Sequence, residues 1–256
     1  MKKPLVIKIG GAILEKESAL NNLLNVIATL KDQAVILVHG GGCVVDEMLA
    51  QAGFITEKKD GLRITPKEQI PLISGALAGT VNKKIAAAAV SLKLPAIGLS
   101  LSDGDTITCQ LNTQGLGQVG LPKANNSKLL ETLLAAEFFP IISSIGSLEN
   151  GDIVNVNADD AAVAICQLLN AELLLLTDVA GVRDANDNYL TSLNKDEAQA
   201  LIKQGVIAGG MTAKVNAALL AAQHLQRSIV VASWQTPEVI VNLLNGDNIG
   251  TRIEAS

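Results

Sequence analysis

The chain has 256 residues, of which 48% are hydrophobic and 2% aromatic, and its formal net charge is −5. The acidic charge and the scarcity of aromatic side chains argue against a nucleic-acid partner, which requires basic grooves and stacking rings. The mean hydropathy is +0.34, yet no apolar run approaches the roughly 18–20 residues of a membrane-spanning helix. We therefore expect one large domain or two small lobes, and neither a membrane nor a nucleic acid as partner.

The three cysteines, Cys43, Cys109 and Cys166, lie far apart in the sequence. Their spacing predicts neither a disulfide framework nor a metal cluster, and it suits a reducing compartment. Because the chain passes almost at once into an apolar strand pattern, we expect no signal peptide and a cytoplasmic protein.

The first part of the chain alternates between strand and helix patterns. Apolar runs at residues 4–9 and 34–38 predict two buried strands. Helical spacing follows each of them, at residues 18–30 and 44–52. This alternation is typical of a sheet whose strands are joined by helices.

A polar segment at residues 57–64 follows and contains Asp60-Gly61, a turn signal. After it, Thr65 is predicted to cap a long helix, with Pro66 at the first helical position and Glu68 completing a capping box. The helix is expected to run to about residue 92.

The remaining chain continues the same alternation. The predicted elements are a strand at 96–101, a hairpin of 106–110 and 118–121, a helix at 128–136, a strand at 139–143, a helix at 158–169, a strand at 172–176, a helix at 195–204 capped by Asn194 with Glu197, a helix at 211–226, a strand at 228–232 and a helix at 237–244. Repeated strand–helix units of this kind predict an α/β fold with a mainly parallel sheet and helices on both faces.

Two glycine runs stand directly after the first two predicted strands. Gly10-Gly11 follows Lys8, and Gly40 to Gly42 follow the second strand. Glycine lets backbone N–H groups approach an anion, and the lysine adds a full positive charge. A single run would indicate no more than a tight turn, but two runs, one with a lysine, favour a phosphate site. Neither run matches the P-loop or the dinucleotide-binding pattern.

Three further segments carry polar chemistry, the first just after the Asp60-Gly61 turn signal and the other two at the starts of predicted helices. They are Arg63, the segment 155–159 with two asparagines and Asp159, and the segment 209–214 that ends in Lys214. Arginine suits a carboxylate, and a helix N-terminus suits a phosphate. Each segment also has an ordinary alternative, namely a solvated loop arginine, a helix cap and a surface lysine.

No catalytic base is legible around either histidine, His39 or His224, and no spacing suits zinc. Phosphoryl transfer to an alcohol benefits from a general base, whereas a carboxylate acceptor with a pKa of ~4 is already ionised at neutral pH. The sequence therefore favours a carboxylate acceptor, with lysines, glycine N–H groups and Mg²⁺ offsetting the negative charge.

The order and spacing of eight motifs extend over nearly the whole chain. They are Ile7-Lys8-Ile9-Gly10-Gly11, His39-Gly40-Gly41-Gly42, Gly61-Leu62-Arg63-Ile64-Thr65, Gly75-Ala76-Leu77-Ala78-Gly79, Asn155-Val156-Asn157-Ala158-Asp159, Thr177-Asp178-Val179-Ala180-Gly181-Val182, Gly210-Met211-Thr212-Ala213-Lys214 and Gly250-Thr251-Arg252. Together they resemble the amino acid kinase family, and within it the acetylglutamate kinases. The resemblance implies an open, mainly parallel three-layer αβα sandwich. It also implies ATP-dependent phosphorylation of the side-chain carboxylate of N-acetyl-L-glutamate, a step of arginine biosynthesis.

The resemblance also implies roles for individual residues. Lys8 and Lys214 would stabilise the transferring phosphoryl group, Asp159 would hold both lysines in place, and Gly11 would donate an N–H group. The implied substrate-binding residues are Gly41, Gly42, Arg63, which would clamp the α-carboxylate, Asn155 and Asn157. The implied ATP-binding residues are Gly10, Gly11, Thr177, Asp178, Gly181, Val182, Gly209, Gly210, Met211 and Lys214. No protein ligand for a metal is implied, although Mg²⁺ would accompany ATP.

By the same resemblance, residues 1–256 form a single domain, in which about 1–172 bind the acyl acceptor and about 173–256 bind ATP. A kinase for carrier-linked aminoadipate or glutamate in lysine biosynthesis, or a non-catalytic amino-acid sensor, remains an alternative. The resemblance implies that arginine-inhibited members of the family form hexamers through an extra N-terminal helix. Here the first predicted strand begins by Pro4, which leaves no room for that helix. We therefore expect a homodimer that arginine does not inhibit, with the long helix after Thr65 at its interface.

Overall fold

The computed structural model describes residues 2–59 and 61–255. Its strands are β1 (Leu5–Ile9), β2 (Val35–His39), β3 (Lys58–Lys59), β4 (Leu62–Arg63), β5 (Ala96–Ser100), β6 (Ile107–Leu111), β7 (Val119–Ala124), β8 (Phe139–Ser143), β9 (Ile145–Ser147), β10 (Ile153–Val156), β11 (Glu172–Thr177), β12 (Ser192–Leu193), β13 (Ile229–Ser233) and β14 (Thr251–Ile253). Its α-helices are α1 (Glu17–Thr29), α2 (Gly42–Gln51), α3 (Ile70–Ser74), α4 (Asn82–Ser91), α5 (Lys128–Ala135), α6 (Ala158–Leu169), α7 (Lys195–Lys203), α8 (Gly210–Leu225) and α9 (Val239–Leu244).

An eight-stranded sheet forms the centre of the fold, in the order β12-β14-β13-β11-β1-β2-β8-β5. Its six strands from β13 to β5 run parallel, and β14 pairs antiparallel with β13. Parallel strands need crossover connections, so helices cover both faces of the sheet. The structure is therefore the predicted three-layer α/β sandwich with an open, mainly parallel sheet.

The alternation of side chains along β1 explains how the two faces are divided. Leu5, Ile7 and Ile9 are buried in a cluster with side chains of α1, α4 and α9. Val6 is buried on the opposite face, in a cluster with side chains of α6 and α8. Because successive strand residues point to opposite faces, Lys8 shares the face of Val6 and is directed towards α6. The period of the strand thus decides which helix meets the lysine.

Two smaller sheets lie beside the carboxyl ends of the central strands. The first has the order β6-β7-β10-β9, and the second is the hairpin of β3 and β4. The turn predicted at Asp60-Gly61 lies partly outside the described residues, since Asp60 is not among them; Gly61 has a φ of +83°. These sheets carry Asn155 and Arg63 towards the strand ends.

The prediction that Thr65 caps the long helix is wrong. Pro66 precedes a 3₁₀ turn at Lys67–Gln69 and has extended backbone angles, with no side-chain cap. Thr65 instead forms a β-bridge with the segment before β7. Its N–H donates to Leu116 O at 2.8 Å, and its C=O accepts from Gln118 N at 2.7 Å. Tertiary pairing with the segment before β7 therefore outweighs the local capping signal. By contrast, the capping box of Asn194 and Glu197 at α7 is confirmed.

The long predicted helix is continuous but not uniform. It consists of α3, a π-helical segment at Gly75–Val81 and α4. The sequence pattern also missed β9, β10 and β14, which are short, and β12, which has two residues. Among the residues that the structure describes, no helix combines the length and apolarity needed to cross a membrane.

Candidate active site

Lys8 forms an ion pair with Asp159 at the centre of the carboxyl edge of the sheet. Lys8 Nζ lies 2.7 Å from Asp159 Oδ1, and the two side chains are 17% and 24% exposed. Asp159 lies in the first turn of α6, and Asn157 caps this helix. Asn157 Oδ1 accepts from the N–H of Asp159 at 2.7 Å and from the N–H of Asp160 at 3.4 Å. Burial and the charge of Asp159 raise the pKa of Asp160. The ordinary alternative for Asn157, a helix cap, is thus present in the structure, and a contact with substrate stays a prediction.

The two glycine turns lie side by side, because β1 and β2 are parallel neighbours and Ile9 pairs with His39. Gly11 begins a 3₁₀ turn, and Gly42 begins α2. Gly41 has a φ of +156°, and a Cβ there would lie 3.0 Å from both Leu77 and Val81. Only glycine fits this position without a shift of neighbouring side chains. The structure therefore brings the two predicted anion-binding turns to one place.

Lys214 lies in the first two turns of α8 and pairs with Asp178, which follows β11. The resemblance implies that Asp159 holds both lysines; among the ion pairs of the described residues, Asp159 pairs with Lys8, and Lys214 pairs with Asp178 instead. The reason is positional: Lys8 faces α6 from β1, whereas α8 begins opposite the end of β11. The hydrogen bond from Lys214 holds the pKa of Asp178 below its usual value, against the opposing effect of burial.

The two ion pairs meet the same edge of the sheet. β11 is the parallel neighbour of β1, and Ile9 pairs with Leu176. Gly10 and Gly11 follow the end of β1, and Asp178 follows the end of β11, so both lie beyond the carboxyl ends of neighbouring strands. Side chains at neighbouring carboxyl ends of parallel strands converge on one crevice, which is where α/β proteins bind ligands.

Arg63, in the β3–β4 hairpin, is fixed against the start of α2. Its Nη1 lies 2.6 Å from Asp46 Oδ1, and its side chain is 9% exposed. Nη1 also donates to Thr56 Oγ1 at 3.2 Å, and Nη2 donates to Gly42 O at 3.2 Å. Burial raises the pKa of Asp46, but Arg63, the Thr56 hydroxyl and the charge of Lys58 together outweigh burial and leave that pKa lowered. The guanidinium thus lies beside the second glycine turn rather than in solvent.

Asp46 is a residue that sequence reasoning missed. It lies one turn inside α2, and nothing in the local pattern indicates that a hairpin more than ten residues away returns to it. Lys58 of the same hairpin also reaches Asp46, with 3.4 Å between Nζ and Oδ2. The carboxylate therefore ties both strands of the hairpin to the helix that begins at the glycine turn.

Asn155, on β10, reaches the same region. Its Nδ2 donates to Thr65 Oγ1 at 3.2 Å, and Thr65 lies two residues after Arg63. The structure thereby brings together four of the five predicted substrate-binding residues, namely the two glycines of the second turn, Arg63 and Asn155. Asn157 is two residues further, at the cap of α6.

A cavity of about 590 Å³ opens between the loop after β11, the start of α8 and the loop after β13. Four of the predicted ATP-binding residues line it, namely Asp178, Gly181, Val182 and Met211. Thr177 and Lys214 line a small adjoining pocket with three of those residues. Gly209, with a φ of +57°, and Gly210 stand directly before Met211 at the start of α8.

The wall of this cavity depends on Thr251 of β14. Its hydroxyl accepts from Val182 N–H at 2.8 Å and donates to Leu190 O at 2.7 Å. A Cβ at Gly181 would lie 2.7 Å from the same hydroxyl, so glycine is required there. The Gly250-Thr251 motif thus shapes the loop that lines the cavity.

Sequence reasoning missed the residues at the outer rim of the cavity. Arg183 Nη1 donates to Asp187 Oδ1 at 2.6 Å, and its guanidinium carbon lies 4.7 Å from the centre of the Tyr189 ring. All three side chains line the cavity. They stand in a polar loop without periodicity, so no local signal separates them from ordinary surface residues.

Comparison with known proteins agrees with this geometry. A sequence profile of the amino acid kinase family matches residues 3–233. The acetylglutamate kinase of Colwellia psychrerythraea strain 34H is 75% identical over 252 residues, which are 98% of this chain and 97% of that protein. The acetylglutamate kinase of Moritella profunda is 49% identical over 258 residues, covering 100% of this chain and 98% of that protein. Among solved structures, smu.665 from Streptococcus mutans UA159 is 28% identical with a TM-score of 0.80 and covers 100% of both chains. The chain belongs to the amino acid kinase family.

Proposed function

We propose that this protein transfers the γ-phosphoryl group of ATP to the side-chain carboxylate of N-acetyl-L-glutamate, giving N-acetyl-L-glutamyl 5-phosphate and ADP, in arginine biosynthesis. The observation that supports the proposal is that Lys8 pairs with Asp159, Lys214 pairs with Asp178, and the two glycine turns and Asp178 follow the carboxyl ends of parallel neighbouring strands. The relatives named acetylglutamate kinase, identical at up to 75% of aligned positions among those described, support the same reaction.

The chemistry needs no proton transfer. A carboxylate oxygen attacks the γ-phosphorus, the bond from that phosphorus to the β,γ-bridging oxygen breaks, and ADP leaves with the electron pair. A carboxylate with a pKa of ~4 is already ionised, so no general base is needed. His39, the histidine beside the glycine turn, is fully buried and is not required as a base.

The problem is instead the repulsion between two anions. Lys8 and Lys214 supply two cations, and the N–H groups of the glycine turns supply donors for the equatorial oxygens of the phosphoryl group. Asp159 orients Lys8, and Asp178 orients Lys214 until ATP arrives. Gly10 and Gly11 serve the phosphates of ATP, and the second turn serves both the acceptor and the phosphoryl group that is transferred to it.

Arg63 binds the α-carboxylate of acetylglutamate, because its guanidinium is held beside Gly42 with a planar set of donors. Asn155 and Asn157 contact the remainder of the same substrate. In this proposal the lobe up to about residue 172 binds the acceptor and reaches the ATP phosphates through Gly10 and Gly11, and the lobe from about residue 173 binds ATP in the 590 Å³ cavity. The two halves share the central sheet through the pairing of β1 with β11.

Mg²⁺ accompanies ATP in this proposal. Asp159 and Asp178 are each paired with a lysine. Within residues 2–59 and 61–255, no group of three or more His, Cys, Asp or Glu side chains is placed to hold a metal ion. This donor set fits an ion held mainly by phosphate oxygens and water rather than by a protein cage. Bound there, Mg²⁺ supplies charge neutralisation on the β- and γ-phosphates.

We also propose a cytoplasmic homodimer that pairs through the helix from Ile70 to Ser91 and the edge strand β5. All five residues of β5 are partly buried, and Val90 on the helix is 55% exposed, which leaves apolar surface for a second copy. Light scattering should give twice the chain mass of 26.6 kDa, and a monomer mass contradicts the pairing. The expectation that arginine does not inhibit stays a prediction, which an assay with added arginine tests.

The experiment that tests the function is ADP release measured with ATP, Mg²⁺ and a panel of acceptors. We expect turnover with free N-acetyl-L-glutamate and little with glutamate, aspartate or aminoadipate. Turnover only with a carrier-linked acceptor supports the lysine-biosynthesis alternative. Binding of acetylglutamate without any ADP release indicates a sensor and contradicts the proposal.

A further inference from the structure

His39 and Asn82 form a buried polar pair directly behind the second glycine turn. Both side chains are fully buried. His39 Nδ1 lies 2.8 Å from Gly40 O, and Nε2 lies 3.0 Å from Asn82 Nδ2. Because a carbonyl oxygen can only accept, Nδ1 carries the proton and donates it to Gly40 O. Nε2 is then the acceptor for the Asn82 amide.

This hydrogen bond fixes the orientation of one particular peptide group. Gly40 O and the N–H of Gly41 belong to the same peptide plane, and in a trans peptide they point in opposite directions. A carbonyl held towards the buried imidazole therefore directs the N–H of Gly41 away from the core. Glycine has no Cβ to restrain its own backbone, so an outside contact must set this orientation.

Asn82 anchors the pair to the rest of the fold. Its Nδ2 also donates to Ile141 O at 2.9 Å on β8 and lies 3.3 Å from Leu99 O on β5. Its Oδ1 accepts from Lys83 Nζ at 3.2 Å. A Cβ at Gly98 would overlap that same oxygen, so the neighbouring strand leaves room for the amide.

The same helix supports the glycine turn from a second side. Asn82 directly follows the π-helical segment Gly75–Val81, and π-helical turns are frequent at functional sites. Leu77 and Val81 of that segment lie against Gly41, where an added Cβ would be 3.0 Å from each. The helix thus packs on the turn through apolar side chains and reaches it through Asn82 and His39.

We propose that His39 and Asn82 are positioning residues for phosphoryl transfer, which set the Gly40–Gly41 peptide so that the N–H of Gly41 faces the transferring group. This inference rests on the proposed function and adds to it. The pair touches neither substrate nor phosphate. Its effect is on the transition state, because a donor preset towards developing charge costs no reorganisation when the reaction occurs.

The test compares three substitutions of His39. In His39→Asn, the amide nitrogen takes the place of Nδ1 and keeps the donor to Gly40 O. In His39→Gln, the longer side-chain amide reaches the position of Nε2. It keeps the hydrogen bond to Asn82 and loses the one to Gly40 O. His39→Leu removes both contacts. Ile36→Val, a core substitution on the same strand, is the control for loss of stability alone.

We expect His39→Asn to keep kcat within about 3-fold of the parent and His39→Leu to lose about 10- to 100-fold, less than the loss of a whole donor. His39→Gln should resemble His39→Leu in kcat. The KM for ATP should stay within about 3-fold in all variants, since binding of the nucleotide does not use this peptide. Thermal melts and circular dichroism, recorded alongside, give the folded fraction.

Unchanged kcat in a folded His39→Leu variant overturns the inference. If His39→Leu does not fold, the order of the other two variants decides: equal kcat in His39→Asn and His39→Gln overturns the inference, and rescue by asparagine alone supports it. A kcat that simply follows the melting temperature, with Ile36→Val on the same line, also overturns it. An inactive parent protein contradicts the proposed function instead, so the two failures are distinguishable.

Discussion

His39 should make the protein sensitive to mild acid, because its imidazole is fully buried and bonded to two neutral groups, Gly40 O and the Asn82 amide. Burial lowers the pKa of His39 from 6.5 to about 4, although its hydrogen bond to Gly40 opposes this effect. Between these two values the unfolded chain binds a proton at this residue and the folded chain does not. Stability is therefore lost as the pH falls from the unfolded pKa towards the folded pKa.

The magnitude follows from the width of this window. Each pKa unit corresponds to about 1.4 kcal/mol, so a window of about 2.5 units gives roughly 3 kcal/mol at its lower end. His39→Asn cannot take up a proton and should lose none of this free energy. The unfolding free energy of the variant, relative to that of the parent, should therefore rise by somewhat less than roughly 3 kcal/mol as the pH falls from about 7.5 to 4.5. The rise is not complete at pH 4.5 because the window extends down to the folded pKa.

Urea denaturation of both proteins across this pH range measures the difference directly. The contributions of the other titrating groups cancel in this difference, since both proteins contain them. These groups include Asp46 and Asp178, whose pKa values are lowered, so the stability that they contribute is lost as the pH falls below the ordinary aspartate pKa. They also include Asp160, whose pKa is raised and whose effect on stability has the opposite sign. A difference in unfolding free energy that stays constant from about pH 7.5 to 4.5 refutes the reasoning.

Three further substitutions test the site. Lys8→Ala should lower kcat by about 10²–10³-fold with little change in the KM for ATP. Lys31→Ala, at an exposed lysine after α1, is the control and should leave kcat unchanged. A near-normal kcat in Lys8→Ala excludes the role of Lys8. Arg63→Ala should raise the KM for acetylglutamate about 10-fold or more and leave the KM for ATP unchanged. Arg63→Lys should restore the KM for acetylglutamate only in part, because lysine lacks the paired donors. Equal effects on the KM values of both substrates contradict the assignment. Gly41→Ala should cost roughly 1–3 kcal/mol of stability, because its Cβ meets two side chains at 3.0 Å. Gly53→Ala, also at positive φ but in open space, should cost less; equal losses in thermal melts mean that crowding at Gly41 is unimportant.

The sequence alone determined the features that depend on neighbouring residues in the chain. Apolar runs at residues 4–9 and 34–38 predicted β1 and β2, and the glycines after them predicted turns at the strand ends, because strand period and glycine freedom are local properties. The capping box of Asn194 and Glu197 was predicted for the same reason. Once the strands were taken as parallel, the meeting of the two glycine turns at one edge followed from topology.

Only the tertiary structure decided which distant side chains pair. Thr65 carries a complete local capping signal, yet pairing with Leu116 and Gln118 draws it into a bridge. The partner of Lys214 is Asp178 because α8 begins opposite the end of β11, a placement that no spacing in the chain encodes. Arg63 meets Asp46, and His39 meets Asn82, across hairpins and crossovers. Such contacts depend on how helices pack on the sheet, and packing is settled by the whole core rather than by any local pattern.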